Sequence, residues 1–298
     1  MLCFHPRDIR VNFTNPLLQG IKKVVRVPCG KCYACRRRRQ QDWSIRLQHE
    51  ADDCISRGGS AFFITFTYAP EHLHYKVDKE TGEQGTTPSL DTHDPGIFMR
   101  KFRKKYGVSE NFRVRFFSCG EYGDTFDRPH IHCMLFLPKK ETHESLRPIV
   151  ESCWPFGIVK GIYPFSVKLS EYIAKYSMKQ IGDDYSDKVP PFARMSLKPA
   201  IGFSHLTREN KQLYRNSHSF AAFDSTGTPF ALPRFYKEKI YSKGELQRES
   251  LAVSRRIQSA NEAALRKDPL APVHRYQANC RFEEIFKFNF ALSNGKSI

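Results

Sequence analysis

The sequence lacks any apolar run approaching the ~18 residues of a membrane span. Its opening residues, Met1 to Pro6, lack the apolar core of a secretory signal. A cytoplasmic protein without membrane contact is expected. No Gly-x-x-x-x-Gly-Lys-Ser/Thr loop occurs, because Gly295-Lys296-Ser297 has neither the upstream glycine nor a strand before it. ATP hydrolysis is therefore not expected. A Gly-x-Ser-x-Gly elbow, an internal repeat and a low-complexity segment are also missing. Acidic residues are the minority, 31 against 48 Lys and Arg, which leaves a formal charge of +17. An enzyme of small metabolites rarely needs that excess. A polyanion explains it through phosphate neutralisation and counterion release.

The chain has 298 residues, enough for one large domain or two ordinary ones. Aromatic residues make up 13%, with 24 Phe and 13 Tyr, which excludes a disordered basic tail. In a reducing compartment the nine cysteines are thiols or metal ligands. Cys29, Cys32 and Cys35 recur every three residues, with Cys3 or His5 as a fourth zinc ligand. An iron–sulfur site and three free thiols are the alternatives. Arg36, Arg37, Arg38 and Arg39 follow at once. With the basic patch around Arg100, Arg103 and Lys104, they are expected to contact phosphates without choosing sequence.

Hydrophobic periodicity predicts a helix over 36–57, ended by Gly58-Gly59 and striped by Trp43, Leu47, Ala51, Cys54 and Ile55. Strands are expected at 61–68, 111–119, 130–137 and 157–163, and helices at 96–105, 143–153, 170–180 and 245–266. Residues 76–93 read as a loop because Gly82, Gly85 and Pro88 punctuate them. The short turn between 119 and 130 makes its flanking strands antiparallel. The expected fold class is α+β, a central antiparallel sheet with helices packed on one face.

Two segments carry chemistry. In a strand, residues i and i+2 share a face, so His130 and His132 project together while Ile131, Cys133, Leu135 and Leu137 point away. Two imidazoles on one face are two legs of a metal site; otherwise they are unrelated surface histidines. Glu121, at the end of the neighbouring strand, is the candidate third ligand, ahead of Asp124 and Asp127. His72-Leu73-His74 has the same spacing but follows Pro70 in a polar loop, and is read as solvent-exposed. In the second segment, Tyr172, Tyr176, Lys175 and Lys179 fall within one arc of about 100° on a helix. Ile173, Ala174, Met178 and Ile181 lie opposite. The expected helix buries its aliphatic side and presents two phenols between two ammonium groups. A phenol with pKa near ~10 becomes a workable nucleophile beside a lysine and a metal-polarised phosphate. The alternative is two half-buried tyrosines with snorkelling lysines.

A histidine strand followed by a tyrosine helix resembles the HUH endonucleases. The Tyr-Ile-Ala-Lys-Tyr-x-x-Lys spacing resembles their two-tyrosine replication initiators. The segments Pro28-Cys29-Gly30-Lys31-Cys32-x-x-Cys35-Arg36, Gly120 to Asp124, Arg128 to His132 and Tyr172 to Lys179 resemble the initiators of gokushovirus-type microviruses. The resemblance implies an RRM-like sheet and a nuclease core over 59–185. A Cys-rich segment with its basic helix (1–58) would precede it, and a partly helical accessory region (186–298) would follow. It also implies Mg²⁺ or Mn²⁺ at His130 and His132, with Thr65, Thr67 and Arg128 along the DNA cleft. The implied reaction is tyrosine attack at a phage origin in the bacterial cytoplasm. It leaves a 5′-phosphotyrosine link and a free 3′-OH, and the strand is later rejoined into a circle. Single-stranded and origin DNA would be partners, and a host helicase would supply unwinding. A non-catalytic zinc-containing nucleic-acid-binding protein and a related relaxase or transposase are the competing readings.

Overall fold

A computed structural model describes residues 3, 5–11, 23–78, 80–107, 113–123, 126–176, 185–218, 220–223 and 229–270. The chain divides into two compact units, residues 1–39 with 262–298, and residues 40–261. The first unit holds an antiparallel pair, β1 (Arg7–Val11) with β2 (Lys23–Val27), the cysteine loop and the start of α1 (Tyr33–Ser56).

The second unit is built on β3 (Ser60–Thr67), β6 (Arg115–Tyr122), β7 (Pro129–Leu137), β8 (Val159–Pro164) and β9 (Phe192–Met195). They form one antiparallel sheet in the order β8-β3-β7-β6-β9. Its fifth strand comes from beyond residue 185, so the sheet does not stop at the expected core boundary. Phe62, Ile64, Phe66, Ile131, Cys133, Leu135 and Leu137 lie in one core, under α2 (Asp94–Tyr106) and α3 (His143–Cys153). Phe63, Phe117, Cys119, Met134 and Phe136 lie in a second core. It is covered by Leu47 and Ala51 of α1 and Ile173 of α4 (Val167–Tyr176). The α+β class and the antiparallel sheet hold. Helices cover both faces, however, not one, because β3 and β7 carry apolar side chains on both sides of the pleat.

Other boundaries differ from expectation. The expected loop over 76–93 contains the antiparallel pair β4 (His74–Val77) and β5 (Gln84–Ser89). Helix α4 begins at Val167, where Ser166 Oγ accepts the Leu169 N–H at 3.3 Å. Ser170, expected as the cap, is buried inside the helix and meets Ser44 at 3.0 Å. The Gln48 amide donates to both serines, and Gln40 donates to the Glu171 carbonyl at 3.0 Å. Ile55 is exposed and lies off the buried stripe. Gly58 ends α1 at φ 81°. A Cβ on Gly59 would lie 2.3 Å from the Leu137 carbonyl, so only glycine lets the chain enter β3 there. Phe112, Met178, Ile181 and Gly182 lie outside the described residues.

The remaining elements are α5 (Arg208–Asn216), β10 (Ala221–Phe223), β11 (Pro229–Ala231), α6 (Arg234–Ile240) and α7 (Lys243–Lys267). Leu206, Tyr214, Phe230, Leu232, Tyr236 and Ile240 form a third core with Ile45 of α1. Glu50 of α1 pairs with Arg115 and accepts the Gly202 N–H at 2.7 Å. Among the described residues, no helix is long and apolar enough to cross a membrane.

The His49 and His205 rings stack 3.5 Å apart in this region. Tyr236 donates to the Gly202 carbonyl at 3.0 Å and so accepts from His49 Nδ1 at 2.9 Å. Burial and the neighbouring His205 push His49 down to about 3. Burial pushes His205 down to about 4. The folded state holds both rings neutral, while the unfolded chain takes up protons below the ordinary 6.5. Their contribution is complete above pH 6.5 and is lost as pH falls towards 4. Thermal melts across that window should show a falling midpoint, with a shallower fall for His49→Gln. Parallel slopes for the two proteins would exclude the pair as the cause.

Candidate functional site

The register of the sheet sets the site. His132 lies between Thr65 of β3 and Cys119 of β6, and His130 between Thr67 and Glu121. All share the face that carries Phe63 and Met134. His132 is 4% exposed, so its polar atoms need partners inside the protein. Nε2 donates to Glu121 Oε1 at 2.7 Å, and Nδ1 meets Thr65 Oγ1 at 3.0 Å. His130 Nδ1 donates to the Arg128 carbonyl at 2.8 Å, which leaves the lone pair of the neutral ring on Nε2. Burial, partly opposed by that carbonyl, together with repulsion from His132, holds His130 below its ordinary value and favours the ligating form.

Helix α4 lies over the same face. The Tyr176 ring stacks on His132 at 4.9 Å and 17°, and Tyr172 meets His132 edge-on at 5.5 Å. The two tyrosines are 4.9 Å apart, and Phe63 closes the group at 5.8 Å from Tyr172. The fold thus gathers the histidine strand and the tyrosine helix, which are well separated in sequence. One expectation is corrected. The phenols are not presented as a pair, since Tyr172 is 42% exposed but Tyr176 only 5%. The helix is rotated so that Tyr176 joins Ile173 in the core, because His132 offers it an aromatic surface. Lys175 is exposed; Lys179 and Asp124 lie outside the described residues. Asp127 pairs with Lys188.

Two groups of ligating atoms lie within 4.8 Å of one another among the described residues, and His130, His132 and Glu121 are not one of them. The first group is Cys3, Cys29, Cys32 and Cys35. Cys3 and Cys32 sulfurs are 3.8 Å apart, and Cys29 and Cys35 sulfurs 4.0 Å. A zinc tetrahedron with bonds of about 2.3 Å has edges of about 3.8 Å. Burial works against the Cys29 thiolate, but the Cys32 and Lys31 N–H groups outweigh it and bring Cys29 to about 6. The second group, His74, Asp91 and Asp94, is not among the sites expected from the sequence. His74 is not a free loop residue: it opens β4 and meets buried Asp94 at 3.1 Å, and Tyr68 donates to the same oxygen at 2.6 Å. The signal is present in the i, i+2 spacing of His72 and His74, but the acidic partners come from across the hairpin.

The expected DNA contacts are dispersed. Thr65 is engaged with His132, and Thr67 donates to the Ile158 carbonyl at 3.2 Å. Arg128 donates to the Tyr68 carbonyl at 2.9 Å. Arg100 and Lys104 are exposed on α2. That helix packs against the opposite sheet face, so its basic side does not join the tyrosines. Arg103 donates to the Val114 carbonyl. Arg37, Arg38 and Arg39 are exposed in the first unit, where Arg36 donates to the Lys31 carbonyl.

Residues 61–181 match the replication-associated protein family named for ORF2. That span begins in β3 and contains both the histidine strand and the tyrosine helix. Replication-associated protein VP4 of Bdellovibrio phage phiMH2K is 26% identical over 263 residues, 80% of this chain and 76% of the relative. Replication-associated protein ORF2 of Spiroplasma virus 4 is 25% identical over 228 residues, 72% of this chain and 67% of the relative. The chain is related to the replication-associated proteins of phages. Replication-associated protein ORF4 of Chlamydia phage 1 is 22% identical, over 71% of this chain and 53% of its own length. No solved structure matches the chain. The gokushovirus-type resemblance read from short motifs thus extends, in these replication-associated relatives, over most of the chain.

The cysteine cluster makes a direct expectation. Protein purified without chelator should carry about one zinc per chain by elemental analysis. Cys29→Ser and Cys32→Ser should each lose it. A metal-free wild type would leave the four thiols without this role.

Proposed function

We propose that this replication-associated chain is an origin-nicking and strand-joining enzyme that starts rolling-circle replication of phage DNA in the bacterial cytoplasm. The observation that carries the reading is the packing of both α4 tyrosines on His132, whose other edge meets Glu121. A purely structural pair of tyrosines has no need of a buried imidazole–carboxylate partner.

Two imidazoles and a carboxylate on one sheet face are a donor set suited to Mg²⁺ or Mn²⁺. His130, with Nε2 free of the Arg128 hydrogen bond, His132 and Glu121 would hold it. When bound, such an ion supplies Lewis-acid polarisation of a phosphate oxygen. The exposed phenol of Tyr172 is the first nucleophile. Its oxygen loses a proton and bonds to phosphorus, the bond to the 3′ oxygen breaks, and the leaving oxygen becomes a 3′-OH. Lys175 on the same helix balances charge on the phosphate, and Lys179 would lie one turn further on. Tyr176 is the second nucleophile. It cuts the regenerated origin while Tyr172 is still esterified, and the new 3′-OH then attacks the first ester, freeing Tyr172 and closing a circle. Side chains at i and i+4 lie near enough to serve one phosphate in turn. Thr65, Thr67 and Arg128 border the cleft, and a partner helicase supplies unwinding.

A second reading, a non-catalytic zinc-containing nucleic-acid-binding protein, is favoured by the four clustered cysteines. It leaves the tyrosine–histidine stack without a purpose. A relaxase or transposase differs in product topology.

The test uses full-length protein, single-stranded circular DNA bearing the origin of the same genome, and Mn²⁺ or Mg²⁺. SDS-resistant protein–DNA adducts are then counted. Wild type should form a metal-dependent adduct. Tyr172→Phe should reduce it by ~100-fold or more, as should His132→Ala. Tyr176→Phe should keep the first adduct but lose closed circles. Tight binding by wild type with no adduct would move the chain to the binding-protein reading.

A further inference from the structure

A cavity of about 580 Å³ lies at the end of β6 remote from Glu121, where β6 starts and β9 ends. Four cationic residues line it: Arg103, Arg113, Arg115 and Lys198. Among the described residues, only Arg115 has an acidic partner, Glu50, and that carboxylate also accepts the Gly202 N–H. Burial, then repulsion from Arg113 and Arg115, holds the Arg103 guanidinium below its ordinary value, a mark of like charges crowded together. Arg113 and Lys198 are exposed at the rim. The floor is different in kind, formed by Phe116, Met195 and Leu197. Leu197 is 72% exposed, an apolar side chain held out to solvent beside unpaired positive charge.

An apolar floor with a cationic rim matches a ligand with a flat apolar part and an anion attached to it. The volume suits a small organic group. We propose that this cavity binds one nucleotide of a single DNA strand, with the base on Phe116, Met195 and Leu197 and its phosphate on Arg113 and Lys198. The stretch of β6 from Arg115 to Glu121 spans about 20 Å of extended chain. At the ~3.4 Å per-strand spacing of B-DNA that is about six nucleotides. The cavity therefore holds the strand several nucleotides from the scissile phosphate. This rests on the reading of the chain as one that acts on DNA, but not on its tyrosine chemistry.

The test is anisotropy of full-length protein with a labelled oligothymidylate of about 16 nucleotides, a site size typical of single-strand binding modules. Arg113→Glu/Lys198→Glu should weaken binding by ~10-fold or more and lower the salt slope by about 1.4, two phosphates at ~0.7 each. Leu197→Ser, at an exposed position that cannot unfold the chain, should weaken binding by ~5-fold with the salt slope unchanged. Wild-type binding and slope in all variants would overturn the proposal. So would displacement of the oligomer by micromolar thymidine monophosphate acting through the same residues, which would assign the cavity to free nucleotides. The adduct assay separates the two readings. Adduct formation with unaltered oligomer binding in the variants removes the cavity alone. Variant-sensitive binding without any adduct removes the nicking chemistry alone.

Discussion

Strand β7 is buried on both faces, and a polar ring on such a strand must find all its partners inside the protein. His132 does so in every direction. One nitrogen reaches Glu121 on β6, the other meets Thr65 on β3, and the ring lies against Tyr176 on α4. The position of α4 depends on this, because Tyr176 has an aromatic surface to cover and Tyr172 is left at the edge. The difference in exposure between the tyrosines is thus a product of sheet burial, not of their places in the helix sequence.

Much of this is legible in the sequence. A period of two marks His130 and His132 as neighbours on a face, and a period of 3.6 puts Tyr172 and Tyr176 on one side of a helix. Helix α3 falls where the pattern predicts it, over 143–153. What local spacing cannot give is direction in space. A helical wheel defines an arc, but not where the sheet lies against it, and so the wheel alone presents Tyr176 beside Tyr172. The one-sided sheet fails for a different reason. Phe62 and Phe63, or Met134 and Phe136 beside Leu135, leave no polar side to the strand, and that pattern itself calls for cover on both faces.

Long-range partnerships are the least legible. Cys29, Cys32 and Cys35 declare themselves by spacing. The choice of Cys3 over exposed His5 as the fourth member of the cluster depends on where the β1–β2 segment brings the N-terminal residues. His74 looks like a loop residue because Gly82, Gly85 and Pro88 speak for a loop. A two-stranded pair with an irregular register tolerates all three, and Pro88 sits opposite Tyr75.

Helix α1 has an uncommon number of clients. Leu47 and Ala51 face the sheet, Ile45 faces the third core, Ser44 and Gln48 hold α4, and Glu50 ties β6 to the Gly202 turn. Residues 44 to 51 therefore have almost no side that is idle. A substitution there is felt by two parts of the unit at once, so the effects of changes in the sheet, in α4 and around Gly202 do not add independently. The helix makes mutational epistasis a property of this architecture, with α1 as the element through which distant changes become aware of one another.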